Sequence, residues 1–161
     1  MEVNVPDNSD NSAEYITLEA VHEAVRNQLG VILFTVLAFT DEGQTMHRIY
    51  SSHPIEYPVG GKKNVKREVA ADWVAVCLEE KAPYFGRTRQ DVERIFLDSK
   101  LIEALGCSSI INAPIIRNSV TIGALNILNA EGTYTDSDVN AALQIAQRAG
   151  TITEKTIKEL N

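Results

Sequence analysis

The sequence predicts one α+β domain built on an antiparallel sheet. Two observations lead to this class: strand-like apolar segments occur in pairs that form hairpins, and helical segments flank and separate the pairs. Hairpin pairing makes neighbouring strands antiparallel, whereas a doubly wound parallel sheet alternates each strand with a helix. The length of 161 residues suits a single domain.

The first predicted element is a helix that begins after a polar segment. Residues 1–13 are rich in Asn, Asp and Ser and have no apolar period, so we expect a mobile tail, with the domain at 14–161. Thr17 is a suitable N-cap and Gly30 a suitable C-terminal residue. Between them, apolar residues recur at helical spacing at Leu18, Val21, Val25 and Leu29.

A hairpin and a long loop follow the first helix. Residues 31–40 are apolar in both alternating sets, which predicts a central strand covered on both faces. A turn at 41–44 leads to a second strand at 45–52. Residues 53–67 show no apolar periodicity, so a long loop is predicted from His53 to Arg67.

The middle of the chain predicts further helices. Residues 68–80 form a helix, because apolar residues fall at helical steps at Val69, Trp73, Val76 and Cys77. A short extended piece is expected at 83–86. Residues 90–105 contain two helical segments that end at Gly106.

The second hairpin comprises residues 108–116 and 120–129. With a three-residue loop, Asn112 opposes Ala124 and shares a face with Asn126. With a two-residue loop, the two asparagines point to opposite faces. The sequence leaves both registers open.

A long helix closes the chain and predicts a partner surface. Thr135 and Asp138 form the analogue of a capping box, and the helix runs toward Leu160. Ile145 and Ile152 widen its apolar stripe to about half the circumference. Together with the small residues Ala149 and Gly150, this width predicts a homodimer through the first and last helices.

Composition excludes several classes of protein. Twenty-two acidic and 15 basic residues give a net charge of −7, which argues against a nucleic-acid binder. No apolar run approaches the roughly 20 residues of a membrane span, and the N-terminus lacks a secretory signal. Two cysteines make no disulfide framework. We therefore expect a soluble cytoplasmic domain without membrane contact.

The C-terminal half resembles GAF domains. The resemblance rests on residues 108–116 with Pro114, the strand containing Ile122-Gly123-Ala124-Leu125, and the helix entry Tyr134-Thr-Asp-Ser-Asp138. Earlier elements agree in order, so it extends from Thr17 to Glu159. It implies a six-stranded antiparallel sheet with terminal helices on one face and a small-molecule pocket, roofed by loops and helices, on the other.

The resemblance also implies a function. GAF domains are mostly sensor or dimerisation modules for cyclic nucleotides, tetrapyrroles, haem or small metabolites. A bilin is disfavoured because neither cysteine lies in a recognisable attachment motif, and no cofactor is identified. The leading hypothesis is a non-catalytic sensor of a small polar or anionic metabolite, bound beneath residues 53–68, that signals through the terminal helices.

Candidate ligand-binding residues combine polar anchors with aromatic side chains. Arg48 can hold a carboxylate with two hydrogen bonds or reach solvent, and the asparagines within apolar strands need partners from a ligand or from nearby loops. The aromatic residues form a pocket roof or pack as core. The candidates are Arg48, Ser52, His53, Tyr57, Lys62, Trp73, Phe85, Asn112 and Asn126.

Residues 58–63 contain two glycines and two lysines but no P-loop. Glu56 and Lys63 occupy the positions where that motif needs glycine and a hydroxyl residue. Free backbone N–H groups at Gly60 and Gly61 can still host an anion, with a plain solvated loop as the alternative. The spacing of His47 and His53 matches no zinc motif, so no metal site is predicted.

Two other functions remain as alternatives. One is a thiol redox enzyme resembling free methionine-(R)-sulfoxide reductase, with Cys107 as nucleophile; further cysteines of that branch are missing here. Cys77 lies on the core stripe of its helix and is expected to be a buried thiol. The other alternative is a dimerisation module without a ligand.

Overall fold

The computed structural model describes residues 13–95 and 99–160 and contains one six-stranded antiparallel sheet. The strand order is β3-β2-β1-β6-β5-β4. This arrangement confirms the predicted α+β class and the sheet that the resemblance implied. The strands are β1 (Leu33–Thr40), β2 (Thr45–Ser51), β3 (Lys62–Asn64), β4 (Tyr84–Gly86), β5 (Ser109–Arg117) and β6 (Val120–Asn129).

The helices lie on both faces of this sheet. Helix α3 continues directly into a π-helical turn at Val74–Glu79. The helices are α1 (Leu18–Gln28), α2 (Val65–Glu68), α3 (Ala71–Trp73), α4 (Arg89–Ile95), α5 (Ser99–Ala104), α6 (Asp136–Arg148) and α7 (Gly150–Glu159). None of the helices in the described ranges combines the length and the apolar character that a membrane span requires.

Alternation along β1 divides the core into two layers. Phe34 and Val36 pack against residues of α1 and α6. Leu37 and Phe39 face the opposite side, where Trp73 and the π-helical turn cover the sheet. Seven of the eight β1 residues are buried, which confirms a central strand covered on both faces.

Local capping signals are confirmed. Thr17 Oγ1 accepts a hydrogen bond from the Ala20 N–H at 3.0 Å, and Gly30 adopts a φ of +80° after α1. Thr135 and Asp138 form the capping box at the start of α6. The contacts of Thr17 and Asp138 satisfy N–H groups at the start of α1 and α6.

The β5–β6 hairpin combines features of both predicted registers. Its turn has two residues, Asn118 and Ser119, both with positive φ. A bulge between Ile115 and Ile116 then shifts the pairing by one residue. As a result Asn112 lies directly opposite Asn126 rather than Ala124, and the two asparagines share a face.

The predicted long loop contains regular structure. Strand β3 lies within residues 53–67, helix α2 begins there and ends at Glu68, and only residues 53–61 remain as the lid loop. Three-residue and four-residue elements are too short to show a period in sequence. The helix predicted at 68–80 begins instead at Ala71, because Val69 is extended (φ −113°, ψ 139°).

The predicted long final helix is two helices that break at Ala149. Ile145 is buried at 2% exposure, so it belongs to the core and not to a wider outer stripe. Ala149 and Gly150 are buried as well, and the Arg117 guanidinium packs against Gly150. These small residues therefore serve packing within the chain.

The predicted N-terminal boundary lies where the described residues begin. Residues 1–12, most of the predicted tail, lie outside the described residues. The Ala13 carbonyl accepts a hydrogen bond from Arg148 Nε at 2.8 Å. The division at residue 13 stays a prediction.

Candidate functional site

A cavity of about 210 Å³ lies between the sheet and the lid loop. Strands β1, β2 and β6 form its floor, and Tyr57 of the lid loop covers it. Its volume equals that of roughly seven water molecules in the liquid. Its lining residues are Leu37, Met46, Arg48, Tyr57, Gly61, Lys62, Lys63 and Asn126.

A second lobe of about 20 Å³ adjoins the cavity. The two spaces share four lining residues, so they are neighbours: Leu37, Met46, Lys63 and Asn126. Trp73, Val69 and Ile95 make the added wall mainly apolar, and Glu68 also lines it. We call the first space the main cavity and the second the apolar lobe.

Arg48 is the central polar residue of the main cavity. Its guanidinium carbon lies 3.7 Å from the centre of the Tyr57 ring, and one terminal nitrogen donates to the Pro58 carbonyl at 2.9 Å. Its Nε is buried and has no hydrogen-bond partner among the described residues. A buried N–H without an acceptor is unfavourable, which makes this atom a candidate donor to a bound group.

The cavity floor carries a buried amide network. Asn112 Nδ2 donates to Asn126 Oδ1, and Asn126 Nδ2 donates to Thr35 Oγ1 at 3.1 Å. All three residues are at most 4% exposed. Asn112 Oδ1 has no partner in the described part of the chain. Asn112 thus lies behind the cavity and orients Asn126, which lines it.

The structure brings together five of the nine sequence candidates. Arg48, Tyr57, Lys62 and Asn126 line the main cavity, and Trp73 lines the apolar lobe. Asn112 contacts this group through Asn126.

Ser52, His53 and Phe85 lie outside the cavity. Ser52 Oγ accepts a hydrogen bond from the Phe34 N–H at 2.9 Å and also bonds to His53 Nδ1 at 3.0 Å, at the end of β2. Phe85 packs against the core beneath the terminal helices, because its neighbour Tyr84 takes the opposite face of β4.

Several lining residues were missed from the sequence. Lys63 pairs with Met46 across β2 and β3, so both point to the cavity face. Met46 and Arg48 are two residues apart in one strand and so share a face, which was the sequence signal that could have predicted Met46. The other missed residues are Leu37, Glu68, Val69 and Ile95.

Backbone hydrogen bonds to Arg48 occupy part of the predicted Gly60–Gly61 anion site. Gly60 N–H donates to the Arg48 carbonyl, and the Gly61 carbonyl accepts from the Arg48 N–H, each at 2.9 Å. The Gly60 N–H is therefore occupied, which removes one of the two donors that the prediction required.

Both cysteine thiols are buried and protonated. Burial raises the pKa of Cys77 to about 12 and that of Cys107 to about 11. Cys107 is only 3% exposed. Among the described residues, no cluster of His, Cys, Asp and Glu has the composition of a metal site.

A larger groove of about 630 Å³ lies at the turn end of the sheet. Its walls are mainly apolar and include Val120, which is 57% exposed. The buried hydroxyl of Thr121 in this groove already donates to the Cys77 carbonyl at 2.9 Å. Among the described residues that line it, none has a buried unpaired donor comparable to Arg48 Nε.

Comparison with known proteins gives a family and a fold. A family model described as GAF domain matches residues 12–154. A search of curated proteins finds no significant match.

Solved structures resemble this chain at low sequence identity. A GAF domain/HD domain protein from Geobacter sulfurreducens has a TM-score of 0.68 at 9% identity, covering 87% of this chain and 91% of that one. The GAF domain of a phosphoenolpyruvate-protein phosphotransferase from Coxiella burnetii has a TM-score of 0.67 at 14% identity, covering 96% and 92%. A domain of a two-component sensor histidine kinase protein from Sinorhizobium meliloti has a TM-score of 0.61 at 21% identity, covering 89% and 92%.

Proposed function

Because this chain belongs to the GAF domain family, we propose that it is a non-catalytic sensor that binds a small polar or anionic metabolite in the main cavity. Ligand binding orders the lid loop over the cavity, and the terminal helices transmit the change. Arg48, Lys62 and Lys63 supply the positive charge, while Tyr57 and Asn126 complete the contact surface.

The observation that carries this proposal is the buried, unpartnered Nε of Arg48. The chain as a whole has a net charge of −7, yet three of the eight described residues that line the main cavity are cationic and none is acidic, while Glu68 lines the adjoining lobe. Positive charge retained within an acidic protein favours an anionic ligand.

The volume of the cavity sets the size of the ligand. About 210 Å³ suits a compact metabolite and is far smaller than the space a tetrapyrrole needs. Apolar side chains from Leu37, Met46 and Trp73 leave room for a short hydrocarbon part.

The thiol enzyme alternative is less well supported. A cysteine nucleophile needs a thiolate, and burial raises the pKa of Cys107 to about 11. Without nearby cationic groups to stabilise it, this thiol is better explained as part of the apolar core around Ile102 and Ile110.

The proposed function is tested by thermal shift with a library of small acids. At a ligand concentration of 100 times Kd, binding stabilises by about 2.7 kcal/mol, which raises Tm by roughly 5–10 °C. We expect at least one acid to do so in the wild type and in the control variant Arg26→Gln on α1. Arg48→Gln should respond much less. A library without a hit, or an equal response of Arg48→Gln, contradicts the proposal.

We further propose that the domain is a cytoplasmic homodimer that uses α1, α6 and α7. Ile16 is 84% exposed and Leu160 44% exposed, and Leu143, Ile152 and Ile157 are only partly buried. Native mass spectrometry of freshly purified protein should show a dimer that Ile152→Glu converts to monomer. A wild-type monomer at micromolar concentration contradicts this part, and cell fractionation tests the compartment.

A further inference from the structure

We infer that the ligand of the main cavity is a small aliphatic carboxylate whose planar anionic group binds the Nε edge of Arg48. This inference rests on the proposed function and names the ligand class for the same site. The short hydrocarbon part of the ligand occupies the space between Leu37, Met46 and the apolar lobe.

The contacts of Arg48 define how an anion approaches it. Stacking on the Tyr57 ring at 3.7 Å fixes the plane of the guanidinium, and the Pro58 carbonyl occupies one terminal nitrogen. The edge that contains Nε retains a donor without a partner in the described chain. That edge is planar and offers parallel N–H groups, which matches the two oxygens of a carboxylate.

The surrounding backbone is poorly suited to a phosphate. Phosphate sites usually present several free backbone N–H groups in a nest or at a helix N-terminus. Here the Gly60 N–H donates to the Arg48 carbonyl and the Arg48 N–H donates to the Gly61 carbonyl. Lys62 and Lys63 add positive charge through flexible side chains, which attract an anion without selecting its geometry.

The remaining walls of the cavity determine the size and polarity of the uncharged part of the ligand. Leu37 and Met46 line both lobes, and Trp73 closes the far end at 2% exposure. A lobe of about 20 Å³ holds roughly one methyl group or one water molecule. Asn126, held by Asn112 and Thr35, is the polar group on the floor between these walls.

The test is an NMR titration that observes the Nε–Hε resonance of each arginine. The probes are butyrate, 2-oxobutyrate and pentanoate, their neutral amides, propyl phosphate and inorganic phosphate. Arg48→Lys assigns the Arg48 resonance and keeps the positive charge while removing the planar edge. Arg26→Lys, a substitution on the other side of the sheet, is the matched control.

We expect at least one carboxylate to shift the Arg48 resonance saturably in the wild type and in Arg26→Lys. The amides should not bind, and the phosphates should bind at least tenfold more weakly. Arg48→Lys should weaken carboxylate binding by about tenfold to a hundredfold, as the loss of a charge-assisted hydrogen bond predicts. The wild-type resonance reports binding even if the variant folds poorly.

Two sets of results distinguish this inference from the function on which it rests. Three results would overturn the carboxylate assignment and leave the sensor proposal standing. A phosphate or an amide could bind as tightly as the carboxylate, or a carboxylate could bind without shifting the Arg48 resonance. The library could also give a hit that has no carboxyl group. Absence of binding by every probe and by every compound of the metabolite library overturns both.

Discussion

Gly150→Ala tests how the β5–β6 hairpin is attached to the last helix. A Cβ at this position would lie 2.1 Å from the Arg117 guanidinium carbon. Arg117 donates to Glu14 Oε1 at 2.7 Å and to Thr151 Oγ1 at 3.2 Å, and both charged side chains are less than a third exposed. An alanine therefore displaces the guanidinium from these acceptors.

The expected magnitude is a balance of two effects. Loss of the partly exposed charged hydrogen bonds costs about 1–2 kcal/mol. Alanine in place of glycine in a helix contributes up to about 1 kcal/mol in the opposite direction. We expect Gly150→Ala to lower the free energy of unfolding by about 0.5–1 kcal/mol, or Tm by roughly 1–4 °C.

The Arg117→Ala background should reverse the sign of the effect. With the guanidinium gone, no side chain obstructs a Cβ there, and Gly150→Ala should stabilise by about 0.5–1 kcal/mol. Urea unfolding and thermal melting of the four proteins complete the cycle. The same sign in both backgrounds refutes the reasoning.

Three further predictions concern the amide network, the thiols and the first helix cap. Asn112→Ala removes the donor to Asn126 and should lower the free energy of unfolding by about 1–3 kcal/mol. In urea unfolding, the double variant with Asn126→Ala should lose less stability than the sum of the two single losses. Additive losses would contradict a coupled pair. Burial raises the pKa of Cys77 to about 12 from an ordinary 9.0, so the folded state keeps a proton that the unfolded chain loses, and stability should fall as pH rises from about 9 toward 12. Urea unfolding at about pH 8 and pH 10.5 should therefore show a larger loss in the wild type than in Cys77→Ala, and equal losses would rule this contribution out. Thr17→Ala should cost about 1 kcal/mol by the same measurement while Thr17→Ser costs little, since serine keeps the capping oxygen; a similar loss in both argues against the cap.

The fold was predictable because its signals are local. Apolar periodicity located α1 and both hairpins, and single residues such as Thr17, Gly30 and Gly106 located helix ends. Strand β3 and helix α2 escaped prediction because three and four residues span barely one period of a strand or a helix, too few to reveal a repeat.

The site was partly predictable for the same reason. Arg48 and Asn126 interrupt apolar strands, and a polar residue in such a position is visible in sequence. Which face it takes depends on register, and the bulge at Ile115 and Ile116 changes that register without a sequence signal. The face of Phe85 was ambiguous because β4 has only three residues.

Packing between distant segments was beyond local inference. Gly150 looked like a surface position for close contact between two copies. Its neighbour is instead Arg117, 33 residues earlier in sequence, at the end of a hairpin strand. Ile145 likewise belongs to the core, since it lies on the same buried face of α6 as Val139, Ala142 and Ala146.

The most direct test of a ligand cavity beneath the lid loop is a crystal structure with the acid that gives the largest thermal shift. We predict electron density for that acid in the main cavity, with an oxygen within hydrogen-bond distance of Arg48 Nε and its apolar end toward Trp73. Density for the acid only at another place, such as the groove beside Val120, with side chains filling the main cavity, contradicts the account.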